Sequence, residues 1–282
     1  MAPITLLVSD VDRTLLTHDY VLRDDVASAL ARLRAAGVQV VLATARSPEA
    51  VRPYAERLGA TGLAICFNGG WIGDLDTGEA HVSTPVPRDD ALAVMAAARE
   101  IGVVALWYGA GGVSTIGEHP LAVREAKITG ESLRVVDALA DLPGEPGKIM
   151  CVRADPDDDT GFAAMRLRFS ARLAVAGSHP RLLEIGPQGV SKRAAVEWVA
   201  QYLGADQAST AAAGDAENDL DMLHWAGTRL TVENGIEDLK RIADFVAPSC
   251  DAGGLAVAVD WLMRERMPKE PTSTPQGGRR NG

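Results

Sequence analysis

Short apolar runs alternating with helical periodicity constrain this chain more than any other feature it has. Ile4 to Val8 is continuously apolar, Asp24 to Ala36 sets Val26, Leu30 and Leu33 on one helical face, and Val38 to Ala43 is apolar again. Gly37 stands where a helix end favours positive φ. Ser47-Pro48 supplies an N-cap and a first-turn proline, and Gly59 closes that helix before a third apolar run, Leu63 to Phe67. Parallel strands need crossovers, and the crossover helices cover both faces of the sheet. The pattern therefore predicts an α/β fold with a doubly wound, mostly parallel sheet. The same rhythm returns late: helix from Ser191 to Leu203 closed by Gly204, strand from Thr210 to Ala213, helix from Glu217 to Trp225, strand from Arg229 to Val232, and an amphipathic helix from Ala252 to Met267.

Between these two blocks the texture changes, through the turn signals Gly73-Asp74 and Thr77-Gly78 to Pro85 and Pro87, and again around Pro180 and Gly186-Pro187. A second α/β unit is expected there. Its helices would run from Asp89 to Ile101 and Thr160 to Phe169, its strands from Val103 to Tyr108, Lys148 to Arg153 and Leu182 to Ile185. The predicted organisation is a core from 1–83 and 187–267, an insertion over 84–186 hinged near Pro85 to Pro87 and Gly186 to Gly189, and a disordered tail over 268–282, which has no apolar face.

The 282 residues carry 28 basic and 38 acidic side chains, a net charge of −10 that repels phosphate backbones and anionic lipid. No nucleic-acid or membrane partner is expected. The N-terminus meets Asp10 and Asp12 right after Val8, without the basic flank or length of a secretory signal, and nothing approaches the ~20 apolar residues of a membrane span. Cys66, Cys151 and Cys250 are odd in number, widely spaced and set among apolar neighbours, which predicts reduced core thiols, no zinc site and a cytoplasmic setting.

The chemistry concentrates in a few segments. Asp10-Val11-Asp12-Arg13-Thr14-Leu15 ends the first strand, where ligands of open α/β sheets bind. Residues two apart on a strand face one side, so this pair of carboxylates needs a cation or lysine to stay ionised; solvated acids in a turn remain the alternative on this motif alone. Thr44 and Arg46 end the second strand with groups able to bond an anion. Lys192, after Gly189-Val190-Ser191, puts an ammonium in a first helical turn, against the helix dipole. Gly214-Asp215-Ala216-Glu217-Asn218-Asp219-Leu220-Asp221 gathers four acids and an amide; a calcium loop fails because its glycine position is Leu220 and its glutamate position Ala226. Gly109-Ala110-Gly111-Gly112 lacks the third glycine of a dinucleotide fingerprint, with Ser114 there instead, and no Gly-Lys-Ser/Thr phosphate loop exists. His18, His81, His119, His179 and His224 show no ligand spacing.

These segments, in this order, resemble the haloacid dehalogenase-like superfamily, and most closely its Cof-type phosphatases. The Asp10 to Leu15 run is similar to the first motif, Thr44 to the second, Lys192 to the third and Gly214 to Asp219 to the fourth; Asn68-Gly69-Gly70 and Val232-Glu233-Asn234 add to the likeness, which covers Ile4 to about Met267. Arg13, Ala45, Arg193 and Gly235 depart from it, standing for glycine, glycine, glycine and alanine. The resemblance implies a phosphatase acting on a small phosphorylated metabolite, a sugar phosphate or phosphorylated cofactor, as a monomer or homodimer. It implies Asp10 as nucleophile, Asp12 as acid and base, and Mg²⁺ held by Asp10, the Asp12 carbonyl and Asp215. Asp219 would orient Lys192 or a metal-bound water. Thr44, Ala45, Arg46, Asn68, Gly69, Lys192 and Asn218 would bind the substrate, Thr44 and Lys192 gripping the phosphate oxygens. The insertion would be a cap that selects the leaving group, with His119, Arg124, Lys127, Arg153 and Arg181 as its polar candidates. A phosphomutase, or a phospho-accepting switch without turnover, are the alternatives.

Overall fold

The computed structural model describes residues 3–109 and 112–267. The tail expected to be disordered, and Ala110 and Gly111 of the glycine-rich turn, lie outside the described residues. The chain begins with β1 (Leu6–Ser9), α1 (Asp24–Ala35), β2 (Gln39–Ala43), α2 (Pro48–Leu58) and β3 (Leu63–Cys66), then β4 (Trp71–Asp74) and β5 (Ala80–Ser83). There follow α3 (Arg88–Ile101), β6 (Val104–Gly109), β7 (Gly112–Ile116), α4 (Pro120–Thr129), β8 (Leu133–Val136), β9 (Lys148–Val152), α5 (Thr160–Phe169), β10 (Leu173–His179) and β11 (Leu182–Pro187). The last part holds α6 (Lys192–Leu203), β12 (Thr210–Gly214), α7 (Leu220–Trp225), β13 (Thr228–Val232), α8 (Glu237–Ile242), β14 (Phe245–Ala247) and α9 (Gly254–Arg266).

Local chemistry sets the helix ends as the sequence suggests. The Ser47 hydroxyl accepts from Ala50 N over a first-turn Pro48, and Gly59 closes α2 at φ 60°. Eight strands form the first sheet in the order β14-β13-β12-β1-β2-β3-β4-β5, parallel from β14 to β3. Its two faces bury separate cores: Leu30 and Leu33 of α1 with Val259 and Leu262 of α9 on one side, Val196 and Val199 of α6 with Met222 and Leu239 on the other. The chain winds outward from β1 through β2 and β3, and outward the other way from β12 through β13 and β14. The order reverses between β1 and β12, so their carboxyl ends splay into a crevice.

Two local elements differ from the sequence reading. The turn signals at Gly73-Asp74 and Thr77-Gly78 fall within the 1–83 core segment, but no strands were expected around them. These signals close the β4–β5 hairpin, which extends the first sheet antiparallel to β3, with Asp74 Oδ1 accepting from Thr77 N at 2.8 Å. The helix expected from Glu217 to Trp225 is a 3₁₀ turn, Glu217–Asp219, followed by α7. Asp219 Oδ2 accepts from Asp215 N at 3.0 Å and Ala216 N at 3.1 Å, which tightens the turn before the helix.

The second sheet runs β10-β11-β9-β6-β7-β8 and takes all its strands from between Val104 and Pro187. Helices α3 and α5 cover one face with Val94, Phe162, Met165 and Phe169 against Trp107 and Ile149. Alternation along the strands turns Lys148, Met150 and Glu184 to the opposite face, where they line a cleft shared with Asp10. Helix α4 packs on this face too, with Ala122 beside Leu106 and Tyr108. It went unseen in the sequence, as did β7, β8 and β10.

Candidate active site

Asp10 is the first residue past β1 and Asp215 the first past β12, so both carboxylates stand at the crevice where strand order reverses. Ser191 caps α6 by accepting from Ala194 N at 3.2 Å, which starts the helix at Lys192. That side chain runs inward, fully buried, and its Nζ donates to Asp10 Oδ1 at 2.5 Å and Asp219 Oδ1 at 2.6 Å. An ammonium at a helix N-terminus is mildly unfavourable, and two buried carboxylates outweigh that cost.

Charge in this pocket does not balance. Asp10, Asp215 and Asp219 present oxygens within 4.8 Å of one another, all buried; the Lys192 ammonium bonds Asp10 and Asp219, and the Arg13 guanidinium acts on Asp215 without pairing with it. Burial, then the neighbouring carboxylates, push the Asp10 carboxyl well up despite Lys192, and push Asp215 up to about 7. Burial disfavours the Lys192 ammonium, but Asp10 and Asp219 outweigh it and hold its pKa above the ordinary lysine value. Oxygen-only donors with surplus negative charge fit a hard divalent cation such as Mg²⁺. Within that cluster Asp219 is already spent: one oxygen takes Lys192 and the other two backbone N–H groups. Asp10 and Asp215 are left to face a metal, and Thr14 Oγ1 donates to Asp215 Oδ1 at 3.2 Å, fixing its rotamer.

Asp12 departs from the expectation of two carboxylates sharing one face. β1 ends at Ser9, so Asp10 and Asp12 lie in the turn beyond it and each has its own cation. Arg46 clamps Asp12 with Nε at 2.9 Å and Nη2 at 2.6 Å, its guanidinium 5.6 and 5.3 Å from the ring centres of Tyr20 and Tyr54. Arg46 thus serves Asp12 rather than reaching freely for an anion. Thr44 is fully buried and its Oγ1 accepts from Arg46 N at 3.1 Å; Ala45 lines the cleft between them. Asn68 holds φ 56° in the turn after β3, its N donates to Thr44 O at 2.9 Å, and its Oδ1 accepts from Asn218 Nδ2 at 2.9 Å. Gly69, at φ 105°, packs so close to α6 that a Cβ would come 2.6 Å from Ser191 O. The loops after β2, β3 and β12 and the start of α6 are therefore bonded into one rim around Asp10.

The wall across the cleft is built by residues other than the five polar candidates of the insertion. Of His119, Arg124, Lys127, Arg153 and Arg181, none lines the cleft at Asp10. His119 caps α4 instead, accepting from Leu121 N at 3.2 Å, and Arg153 Nη1 pairs with Asp159 at 2.8 Å. The residues that do face Asp10 include Glu125, Thr129, Lys148, His179 and Glu184. Lys148 and Glu184 form a buried pair at 2.8 Å, with the ammonium 4.5 Å from the Tyr108 ring centre and Ser178 Oγ donating to Glu184 Oε1 at 2.8 Å. Burial pushes the Glu125 carboxyl up. Cross-strand pairing brings Lys148 and Glu184 together, and no local pattern marks either. The three cysteines are buried thiols as expected, Cys151 pushed up to about 12 by burial.

A family model described as haloacid dehalogenase-like hydrolase matches residues 7–259. A protein of Streptococcus pyogenes serotype M6 that bears the name "putative phosphatase" is 32% identical over 92% of this chain and 99% of its own. The 5-amino-6-(5-phospho-D-ribitylamino)uracil phosphatase of Bacillus subtilis is 24% identical over 92% of this chain and 96% of its own. Among solved structures, a haloacid dehalogenase-like hydrolase from Bacteroides thetaiotaomicron superposes with a TM-score of 0.81 at 24% identity, covering 92% of this chain and 99% of its own.

Proposed function

The chain belongs to the haloacid dehalogenase-like hydrolase family, and we propose that it is a Mg²⁺-dependent phosphatase of small phosphomonoesters working through an aspartyl-phosphate on Asp10. One observation carries this reading: a buried carboxylate at the strand-order reversal, gripped by a lysine, with a second carboxylate beside it in surplus negative charge.

Asp10 and Asp215 would hold the ion, with the Asp12 carbonyl as a third oxygen; bound there, Mg²⁺ supplies the positive charge that lets a carboxylate approach a phosphate dianion. In the first step an Asp10 oxygen bonds to phosphorus, the ester P–O bond breaks, and protonated Asp12 gives its proton to the leaving alkoxide. In the second, Asp12 takes a proton from water as that water's oxygen bonds to phosphorus and the P–O bond to Asp10 breaks, freeing phosphate and restoring the carboxylate. Lys192 and the Thr44 hydroxyl stabilise charge on the equatorial oxygens, and Asn218 adds a donor from the opposite rim; one such donor is worth about 3 kcal/mol in the transition state. Arg46 steers Asp12 rather than phosphate.

The β6–β11 unit acts in this reading as the cap. It meets the rim through Ser47 Oγ donating to Glu131 Oε1 at 2.6 Å and through Arg166 paired with Glu217 at 2.9 Å, contacts that span the cleft mouth and can break as it opens. The substrate is a small phosphorylated metabolite, as the name of the Bacillus subtilis relative suggests for that protein. The test is hydrolysis of 4-nitrophenyl phosphate by the purified protein. Turnover that needs Mg²⁺ and stops with chelator is expected; a folded protein with no turnover of several phosphomonoesters in Mg²⁺ overturns the reading.

A further inference from the structure

Arg13 stands three residues past the proposed nucleophile at φ 63°, a left-handed conformation that glycine adopts freely and that strains other residues. The strain is held from several sides. Asn234 Nδ2 donates to Arg13 O at 2.9 Å, and the guanidinium Nη2 lies 2.8 Å from His18 Nε2. A guanidinium can only donate, so Nε2 accepts and the imidazole proton sits on Nδ1, 2.8 Å from Asp251 Oδ2. Asp251 Oδ1 also accepts from His18 N at 2.9 Å. Asp251 therefore fixes His18, and His18 fixes Arg13. Cys250 Sγ stands 3.4 Å from the same Nδ1, but a metal there would need the proton on Nε2, facing a group that cannot accept it.

What this relay holds in place is a guanidinium that makes no ion pair, although its charge reaches Asp215 across the cleft. Among the described residues no carboxylate lies within ion-pair distance of Arg13, and its buried Nε has no partner. Arg46 is bonded to Asp12, Arg153 to Asp159 and Arg166 to Glu217, and neither Arg124 nor Arg181 lines the cleft at Asp10. Arg13 lines both the cleft at Asp10 and a side cleft that runs past Asp215 toward Asn234, the two sharing Arg13, His179 and Asp215. Across that junction the His179 Nδ1 accepts from Arg181 N at 3.0 Å, which turns a neutral ring's N–H outward at Nε2. Burial, then Arg13, Arg124 and Arg181, push His179 down to about 4, so the ring stays neutral in a positive surrounding.

We infer that Arg13, set by the His18–Asp251 pair, binds a second anionic group on the substrate, so that the preferred esters carry a carboxylate or another phosphate a few bonds from the phosphate that is hydrolysed. This rests on the phosphatase reading and narrows its substrate class. Arg13 is then the specificity residue, and His18 and Asp251 are positioning residues.

The test compares three esters built on two carbons, 2-hydroxyethyl phosphate, carboxymethyl phosphate and ethane-1,2-diyl bisphosphate, with the full-length protein in Mg²⁺. The wild type should favour at least one of the two anionic esters in kcat/KM by about 10- to 100-fold, the range of one charge-assisted hydrogen bond. The ester that gains tells carboxylate from phosphate. Arg13→Gly, which relieves the backbone strain and so should fold, should erase that ratio, and Asp251→Asn should weaken it through KM more than kcat. An unchanged ratio in Arg13→Gly, or no wild-type preference, overturns the inference. Calorimetric binding of the same esters separates the two readings. Tighter binding of an anionic ester, lost in Arg13→Gly, supports the subsite even in a protein that hydrolyses none of them; equal affinities reject it.

Discussion

Removing the Lys192 ammonium should destabilise the metal-free protein more at high pH than at low pH. Lys192 is fully buried, and its two partners are 9% and 0% exposed at 2.5 and 2.6 Å. Lys192→Met keeps the length and apolar stem but leaves Asp10 and Asp219 without their bonded cation. Breaking a buried pair from one side costs about 3–5 kcal/mol. For a chain this long, each kcal/mol moves the melting temperature by roughly 2–4 °C, so the loss should be on the order of 10 °C near pH 8. The sign of the pH effect follows from linkage. Without Lys192 the folded-state pKa of Asp10 rises further above its unfolded value, so the folded variant binds protons more tightly than the unfolded chain does and gains stability as pH falls. Near pH 5 the melting gap between variant and wild type should shrink clearly. Melting curves in chelator at both pH values measure it. A gap below about 1 kcal/mol near pH 8, or one that stays constant with pH, would refute the view that Lys192 neutralises buried carboxylates.

Asp10→Asn deletes the proposed nucleophile and one of the crowded charges. Turnover should fall on the order of 10⁴-fold or more, while the metal-free melting temperature should not fall; near wild-type turnover would exclude Asp10 as nucleophile. Asp215, pushed up to about 7, should make the metal-free protein lose stability as pH rises from about 4 to about 7; Mg²⁺ should raise the melting temperature most above that window, and equal Mg²⁺ shifts at all pH values would speak against Asp215 as a ligand. Gly69→Ala should cost about 1–3 kcal/mol and lower activity, because a Cβ at φ 105° would press on the Ser191 carbonyl that begins the Lys192 helix; an unchanged melting curve and rate would show that the rim yields.

The parts of the fold legible in the sequence are those written in local chemistry. β1, β2, β3, α2 and α6 are bounded by residues whose effect is felt within a turn, such as Ser47, Gly59, Ser191 and Gly204. The β4–β5 hairpin escaped because Gly73 and Asp74 read as turn residues, and only pairing with β3 turns them into a strand. Helix α4 and strands β7, β8 and β10 escaped for a similar reason: their apolar residues are few, and packing across the second sheet decides them. At the site, the residues crowded into short runs were visible, since Asp10, Asp12, Asp215 and Asp219 fall within a few positions of one another in two motifs. Partners far apart in the chain were not. Arg46 meets Asp12 across 34 residues and Ser47 meets Glu131 across 84, and no local pattern announces either pairing. The inserted segment's arginines drew notice by charge, whereas Lys148 and Glu184 sit in strands and hide theirs by pairing.

The most direct test of the account traps the enzyme during turnover. An acyl phosphate on a carboxylate is reduced by borohydride to the alcohol, so quenching a reaction with 4-nitrophenyl phosphate and Mg²⁺ in borohydride should convert Asp10 to homoserine. Peptide mass mapping reads the position. Homoserine is expected at position 10, dependent on substrate and Mg²⁺ and absent when either is withheld; conversion at another carboxylate, or none at Asp10 in a protein that is turning over, would contradict a covalent role for Asp10.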